Sequence, residues 1–170
     1  MGREYFTATE RIGFSIWRAD DLPLAAMLWG NPEVSRYICA SGAFTQEEIA
    51  SRLNSELENF ELYDVQYWPI FYLESGDIIG CCGLRPHGAK EYELGFHLQP
   101  EYWHQGLARE AAERTIEYAF RNLHAEALFA GHNPDNIVSK YLLQKLGFGY
   151  IGDEFYEPTG LYHPSYRLVL

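Results

Sequence analysis

The chain reads as an α/β fold, a mixed sheet of six to seven strands with about four helices on its faces. Three observations predict it. Short apolar or alternating runs bounded by turn residues recur along the whole chain. Between them lie four longer segments with apolar residues at helical spacing, one of them strongly amphipathic. From residue 92 onward, strand-like and helix-like segments alternate, which places helices against a sheet.

The elements follow in order. Ile12 to Arg18 is a first strand, and Asp20 or Asp21 can cap a short helix ending near Leu28. Thr45-Gln46-Glu47-Glu48 is a capping-box sequence that opens a helix with Ile49, Leu53, Leu57 and Phe60 inward. Gln66 to Leu73 and Ile78 to Leu84 form a hairpin across Glu74-Ser75-Gly76-Asp77. Tyr92 to Leu98 alternates strictly, with Tyr92, Leu94, Phe96 and Leu98 on one face and Glu93, Gly95 and His97 on the other. A helix from Leu107 to Asn122 comes next; Leu107, Ala108, Ala111, Ala112, Thr115, Ile116, Ala119, Phe120 and Leu123 recur at helical spacing, so one face packs while Arg109, Glu110, Glu113 and Arg114 stay wet. Ala127 to Gly131 is a strand, Asn136 to Leu146 a helix, and strands near Phe148 to Glu154 and Tyr166 to Leu170 complete the sheet.

The 170 residues suit a single domain spanning 1–170, long enough to bury about 70% of the unfolded surface. No apolar run reaches the roughly 20 residues of a membrane span, and the N-terminus lacks the apolar stretch of a signal peptide. A cytoplasmic protein without a membrane partner is expected. Cys39, Cys81 and Cys82 form no CxxC and read as reduced core or strand residues. A formal charge of -11 argues against nucleic acid. The imbalance is local: Glu47, Glu48, Glu56, Glu58, Glu61, Asp64, Glu74 and Asp77 face Arg52 alone. A solvated helix face explains such a run, and the same field would draw in a cationic amine.

Gln99 to Ala108 carries a strand through a glycine turn into the amphipathic helix. The first N–H groups of that helix have no partner within it, and its dipole adds partial positive charge, so a phosphate is the natural ligand. His104, Arg109, Arg114, Lys140 and Lys145 are cations available to a polyanion. Downstream come Asn133-Pro134-Asp135-Asn136-Ile137-Val138-Ser139 and Gln144-Lys145-Leu146-Gly147-Phe148. Together these resemble the acyl-CoA-binding core of the GNAT N-acetyltransferase superfamily, with Trp103 where a Gln or Arg is usual and Gly106 and Ala108 in the two small positions. Tyr102 to Ala108, and Leu28-Trp29-Gly30-Asn31-Pro32-Glu33-Val34-Ser35-Arg36-Tyr37, are similar to the ribosomal-protein N-terminal acetyltransferase branch. The resemblance spans about residues 12 to 170. It implies a GNAT-like acyl-CoA N-acyltransferase fold with a mostly antiparallel sheet, acetyl-CoA as cosubstrate, no metal, and direct transfer of acetyl to a primary amine, either a protein N-terminal α-amino group or a small cationic amine. Monomer and homodimer both remain open.

Residue roles follow from the same likeness. His104, Gln105, Gly106, Leu107, Ala108 and Arg109 would hold the pyrophosphate, and Asn136 and Ser139 the pantetheine arm. Gly95 suggests a bulge or a close backbone approach, and a backbone N–H among Phe96, His97 and Leu98 would polarise the thioester carbonyl. The amine must be neutral to attack: near pH 7 an α-amino group is roughly one-tenth neutral and a lysine below one part in a thousand. Glu93 falls where some relatives carry their general base, with His97 a weaker candidate; a salt-bridged strand residue is the plainer reading of Glu93. Relatives often supply a proton to the leaving thiolate from a tyrosine seven residues after the Asn136 position. Here Leu143 stands there, and Tyr141 lies about 200° away around the helix. Ser139 is the replacement the ribosomal branch suggests, and it equally suits a bond to the pantetheine arm. Trp29 and Tyr37 are expected in the acceptor pocket.

No phosphate-loop Gly-Lys-Ser/Thr, zinc-binding His-Glu-x-x-His or Gly-x-Ser-x-Gly elbow occurs. Two rivals use the same residues differently: a non-catalytic acyl-CoA sensor, which the absent tyrosine favours, and an interaction protein working through the acidic helix surface.

Overall fold

The structure is a computed structural model that describes residues 2–170. Strands β1 (Thr7–Ala8) and β2 (Ile12–Phe14) lead into helices α1 (Leu22–Trp29), α2 (Pro32–Ser35) and α3 (Gln46–Tyr63). Strands β3 (Tyr67–Tyr72), β4 (Ile78–Gly88) and β5 (Glu91–Leu98) follow, then helix α4 (Leu107–Arg121), β6 (Ala127–Gly131), α5 (Ile137–Lys145), β7 (Gly149–Tyr156) and β8 (Leu161–Leu168). They make one mixed sheet in the order β1-β2-β3-β4-β5-β6-β8-β7. Every pair is antiparallel except β5·β6. The fold is therefore the α/β class expected, with eight strands and five helices among the described residues; the additions are the two-residue β1 and the four-residue α2.

The two faces have separate cores. Leu107, Ala111, Ala112 and Ala119 of α4 and Leu143 of α5 pack with Trp68, Ile70, Leu84, Leu94 and Leu98 on one face. On the other, Ala25, Leu28 and Trp29 of α1 and Ile49 and Leu53 of α3 pack with Tyr67, Phe71 and Cys81. The α3 capping box forms as its sequence demands: Glu48 N–H donates to Thr45 Oγ1 at 3.2 Å and Thr45 N–H to Glu48 Oε2 at 2.7 Å.

Three local readings are corrected. Asp21 sits at the α1 N-cap without a side-chain cap bond; its carboxylate accepts from Arg3 at 2.7 and 2.8 Å and from Arg18 N–H at 2.8 Å instead. The last strand begins at Leu161 rather than near Tyr166. Pro164 disguised it, yet that residue lies just past Gly131–Ser165, where the β6 ladder ends, so no strand donor is lost. Gly95 carries no bulge, because β4 and β5 stay in register from Gly80–Leu98 to Pro86–Tyr92 and shift only between Pro86 and Gly88. Its reason is a side chain: a Cβ on Gly95 would lie 2.6 Å from Cε2 of Tyr67, whose ring crosses Gly83 to reach it.

Candidate active site

The sheet opens where β5 and β6 part. Their last register pair is Glu93–Phe129, after which β6 continues only beside β8. Two hydrogen bonds set which β5 groups face that gap. Gln99 N–H donates to the Ile79 carbonyl at 2.9 Å, so odd-numbered residues point their backbone toward β4. Glu126 N–H donates to the Lys90 carbonyl at 2.8 Å, so even-numbered residues point toward β6. By alternation, the Leu94 C=O and the N–H and C=O groups of Phe96 and Leu98 face a gap with no strand in it, while the Leu94 N–H closes the Glu93–Phe129 pair. The Leu98 carbonyl is taken by Trp103 Nε1–H at 2.8 Å. Of the three expected donors, His97 is removed by this parity, because its N–H belongs to the β4 ladder; Phe96 and Leu98 remain.

At one end of the gap lies the turn before α4. His104 at φ 59° and Gly106 at φ 76° both adopt the left-handed conformation, which turns successive N–H groups inward as an anion-binding nest. Gly106 is the helix N-cap and supplies no side-chain bond, so the first-turn N–H groups stay open. Arg11 braces the turn from the N-terminal segment, donating to the Gln105 carbonyl at 3.0 Å and to Glu110 Oε2 at 2.7 Å. Glu110 would repel an anion, but Arg11 and Thr9 engage both of its oxygens. Burial alone would raise its carboxyl; these hydrogen bonds and the Arg11 charge hold it below the ordinary value.

A cavity of about 1100 Å³ runs from this turn through the gap to the opposite face of the sheet. It touches Phe96, His97, Leu98, His104, Gly106, Leu107, Ala108, Arg109, Asn136 and Ser139, and also Glu93 and Tyr37. Gln105 does not line it; its amide donates to the Glu101 carbonyl at 2.9 Å. Of the cations expected near the turn, His104, Arg109 and Lys145 line the cavity, whereas Arg114 is spent on Glu117 and Thr7. Asn136 caps α5, accepting from Ser139 N–H at 3.2 Å. Leu143, in the place of the usual tyrosine, is buried in the core.

On the far face Glu93 stands at the mouth of the gap. Tyr67 Oη–H donates to its Oε1 at 3.3 Å, and Arg85 is its cross-strand neighbour. Burial first, then the charge of Glu93, pushes the Tyr67 phenol well above its usual value, so it remains a donor. His97 is no base. Its Nδ1 accepts from Trp29 Nε1–H at 3.3 Å, which leaves the proton on Nε2, and burial, then Arg52 and Arg85, drives it well below the ordinary imidazole value. Trp29 is also corrected: it is fully buried and supports the cavity from behind, through His97.

Sequence reasoning missed several groups that line the cavity or hold its lining residues in place. Glu56, assigned to the acidic surface, is 0% exposed; its Oε1 pairs with Arg85 Nη2 at 2.7 Å and its Oε2 accepts Tyr67 N–H at 2.7 Å. The Arg85 guanidinium lies 3.9 Å from the Tyr67 ring centroid. Arg52 also turned inward; its standing as the one base in that acidic run was a signal. His132 and His163 were passed over as well: His132 bonds Tyr166 Oη at 3.1 Å and the Asn133 carbonyl at 2.7 Å, and His163 bonds Thr159 Oγ1 at 2.7 Å.

A strand pair splayed over an anion nest defines an acyl-CoA-using class, and comparison with known proteins agrees. The acetyltransferase (GNAT) domain family matches residues 11–149, and the chain belongs to it. It is an acetyltransferase of the GNAT N-acetyltransferase family, whose fold uses acetyl-CoA. It is 27% identical over 143 residues to an uncharacterized N-acetyltransferase p20 of Bacillus licheniformis, covering 82% of this chain and 80% of the relative. The fold matches a ribosomal-protein-S5-alanine acetyltransferase from Vibrio fischeri with a TM-score of 0.78 at 20% identity, over 96% of this chain and 95% of the other. It also matches a ribosomal L7/L12 alpha-N-protein acetyltransferase in complex with coenzyme A, with a TM-score of 0.81 at 13% identity and 98% of each chain covered. Among the described residues no helix is long and apolar enough to cross a membrane, and no group of three His, Cys, Asp or Glu is placed to hold a metal ion.

Proposed function

We propose that this chain transfers acetyl from acetyl-CoA to a primary amine by direct attack in a ternary complex, with Glu93 as the general base. The acceptor is a protein N-terminal α-amino group, in line with one structural neighbour named as an alpha-N-protein acetyltransferase and another as a ribosomal-protein acetyltransferase, or a small cationic amine. The observation that carries the reading is the position of Glu93, at the last β5·β6 pair before the strands part.

Acetyl-CoA fits the groups present. Its pyrophosphate meets the open N–H groups of Leu107, Ala108 and Arg109 and the nest at His104 and Gly106, and its amide arm completes the ladder left open by the Leu94 C=O, Phe96 and the Leu98 N–H. Asn136 and Ser139 flank the arm from α5. The Phe96 or Leu98 N–H polarises the thioester carbonyl and stabilises the charge that develops on its oxygen. The amine nitrogen forms a bond to the carbonyl carbon as the carbon–sulfur bond breaks. Glu93, directly or through one water, takes the amine's proton, and Tyr67 holds the carboxylate in place by bonding the oxygen that does not work. The thiol of CoA has a pKa of about 8.5, so thiolate departs without a strong acid, and the Ser139 hydroxyl has only to polarise it. No cysteine takes part: burial raises Cys82 to about 12 and lifts Cys81 further.

Thiol release from acetyl-CoA against a panel of small amines and N-terminal peptides tests the reading. Amine-dependent release with no burst of acetylated enzyme is expected. Coenzyme A binding without release on any amine would refute it.

A further inference from the structure

Among the described residues Arg52 makes no ion pair. It projects from α3 into the cavity, with its guanidinium 4.9 Å from the Trp29 ring centroid and 5.0 Å from that of Phe44. Its Nε is buried and makes no hydrogen bond among the described residues. No carboxylate lies within ion-pairing distance of it there, while Glu56, one helical turn on, gives both oxygens to Arg85 and the Tyr67 N–H. A buried guanidinium without a partner is costly, and Arg85 nearby adds like charge. Two aromatic rings hold the group in place, yet they satisfy none of its N–H donors. Such an arrangement is what a binding site presents before its ligand arrives.

We propose that the acceptor amine carries a small oxyanion, as an amino acid carries its carboxylate, and that Arg52 binds it. This rests on the acetyl-transfer reading above and narrows its acceptor. The geometry allows both ends to be held at once. Arg52 lies over Trp29, Trp29 bonds His97, and His97 stands four residues from Glu93 on the same strand face, about 13 Å along β5, with Tyr67 between them, its Oη on Glu93 Oε1 at 3.3 Å and its ring centroid 6.0 Å from that of His97. An amine at Glu93 and an anion at Arg52 therefore belong to one zwitterion that reaches past the Tyr67 ring. The guanidinium's fork suits carboxylate and phosphate alike. Exposed Glu47, Glu48, Glu58 and Glu61 on the outer side of α3 give the surface the opposite sign, so the cation of the ligand is drawn toward the entrance and the anion is recognised only inside.

The test compares thiol release from acetyl-CoA with L-alanine against L-alaninamide, β-alanine against β-alaninamide, and O-phosphoethanolamine against ethanolamine, for the wild type, Arg52→Met and Arg52→Lys. The charged member of at least one pair is expected to have a kcat/KM ten-fold or more above its neutral counterpart, although the amides present a larger share of neutral amine. The first two pairs report a carboxylate and the third a phosphate. In Arg52→Met, whose stem still fills the space between Trp29 and Phe44, that ratio falls toward one, and Arg52→Lys recovers part of it. Equal or reversed preference in the wild type in every pair overturns the proposal, as does a ratio that Arg52→Met leaves intact. If no amine releases thiol, the acetyl-transfer reading fails, and calorimetric titration of the same compounds into CoA-loaded protein decides the Arg52 question: binding of the acid alone, lost in Arg52→Met, supports it, and no acid preference refutes it. Arg52→Lys carries the comparison if Arg52→Met does not fold.

Discussion

Glu93, Tyr67 and Gly95 form one unit on the acceptor face of the sheet. Removing the phenol in Tyr67→Phe leaves the Glu93 carboxylate without its 3.3 Å donor; kcat should fall several-fold with the KM for acetyl-CoA unchanged, read by steady-state kinetics. In Gly95→Ala the new methyl meets the Tyr67 ring. The expected result is about 1–3 kcal/mol of lost stability in urea unfolding, with activity reduced further than in Tyr67→Phe. The strand alternation that set Glu93 apart from Leu94 and Phe96 was legible in the residues. What filled the space beside Gly95 was not, because Tyr67 arrives from a strand two places away in the sheet and only the paired register reveals it. The same limit hid Arg52 and Glu56. A helical acidic run looks uniformly solvated until Arg52 is seen to line the cavity and Glu56, four residues on, to be buried against Arg85 and Tyr67.

At the scale of elements, α4 and its turn were the most readable part, since an uninterrupted amphipathic period and a glycine at the N-cap leave few alternatives. Gly106→Ala tests that turn. There is room for a methyl, the nearest atom being Arg11 Nη2 at 3.6 Å, but φ is 76°, and a left-handed conformation costs a residue with a Cβ about 1–2 kcal/mol. The KM for acetyl-CoA should rise several-fold while the KM for the amine stays near its wild-type value. Helix α3 was also legible through its capping box. Thr45→Ala should remove about 1 kcal/mol in denaturant titration. The β5·β6 opening is different in kind: no residue encodes it alone. It follows from β6 leaving β5 for β8 after Phe129, a pairing between distant segments.

For the whole molecule, the buried histidines set the response to acid. Burial, as the main cause, lowers His97, His132 and His163, so the unfolded chain binds protons that the folded chain refuses. Their stabilising effect is complete above the unfolded value near 6.5 and declines as pH falls below it, each histidine adding up to about 1.4 kcal/mol per pH unit to the slope. Asp21 and Glu110 act lower. Burial alone would raise them, but hydrogen bonds from Arg3 and the Arg18 N–H, and from Thr9 and Arg11, lower both; the stability they add is present above about pH 4 and is lost as pH falls through their depressed values. Urea midpoints should therefore decline in two stages, the first beginning near pH 6.5. In His97→Gln the first stage should be shallower.

The measurement that bears most directly on the account is the pH dependence of kcat/KM for wild type and Glu93→Gln on the best acceptor amine. With Glu93 as base, the variant should be slower by about a hundred-fold or more near pH 7, with the deficit narrowing as rising pH supplies neutral amine from solution. Parallel profiles with no difference in rate would show that the amine loses its proton without Glu93 and would contradict the mechanism.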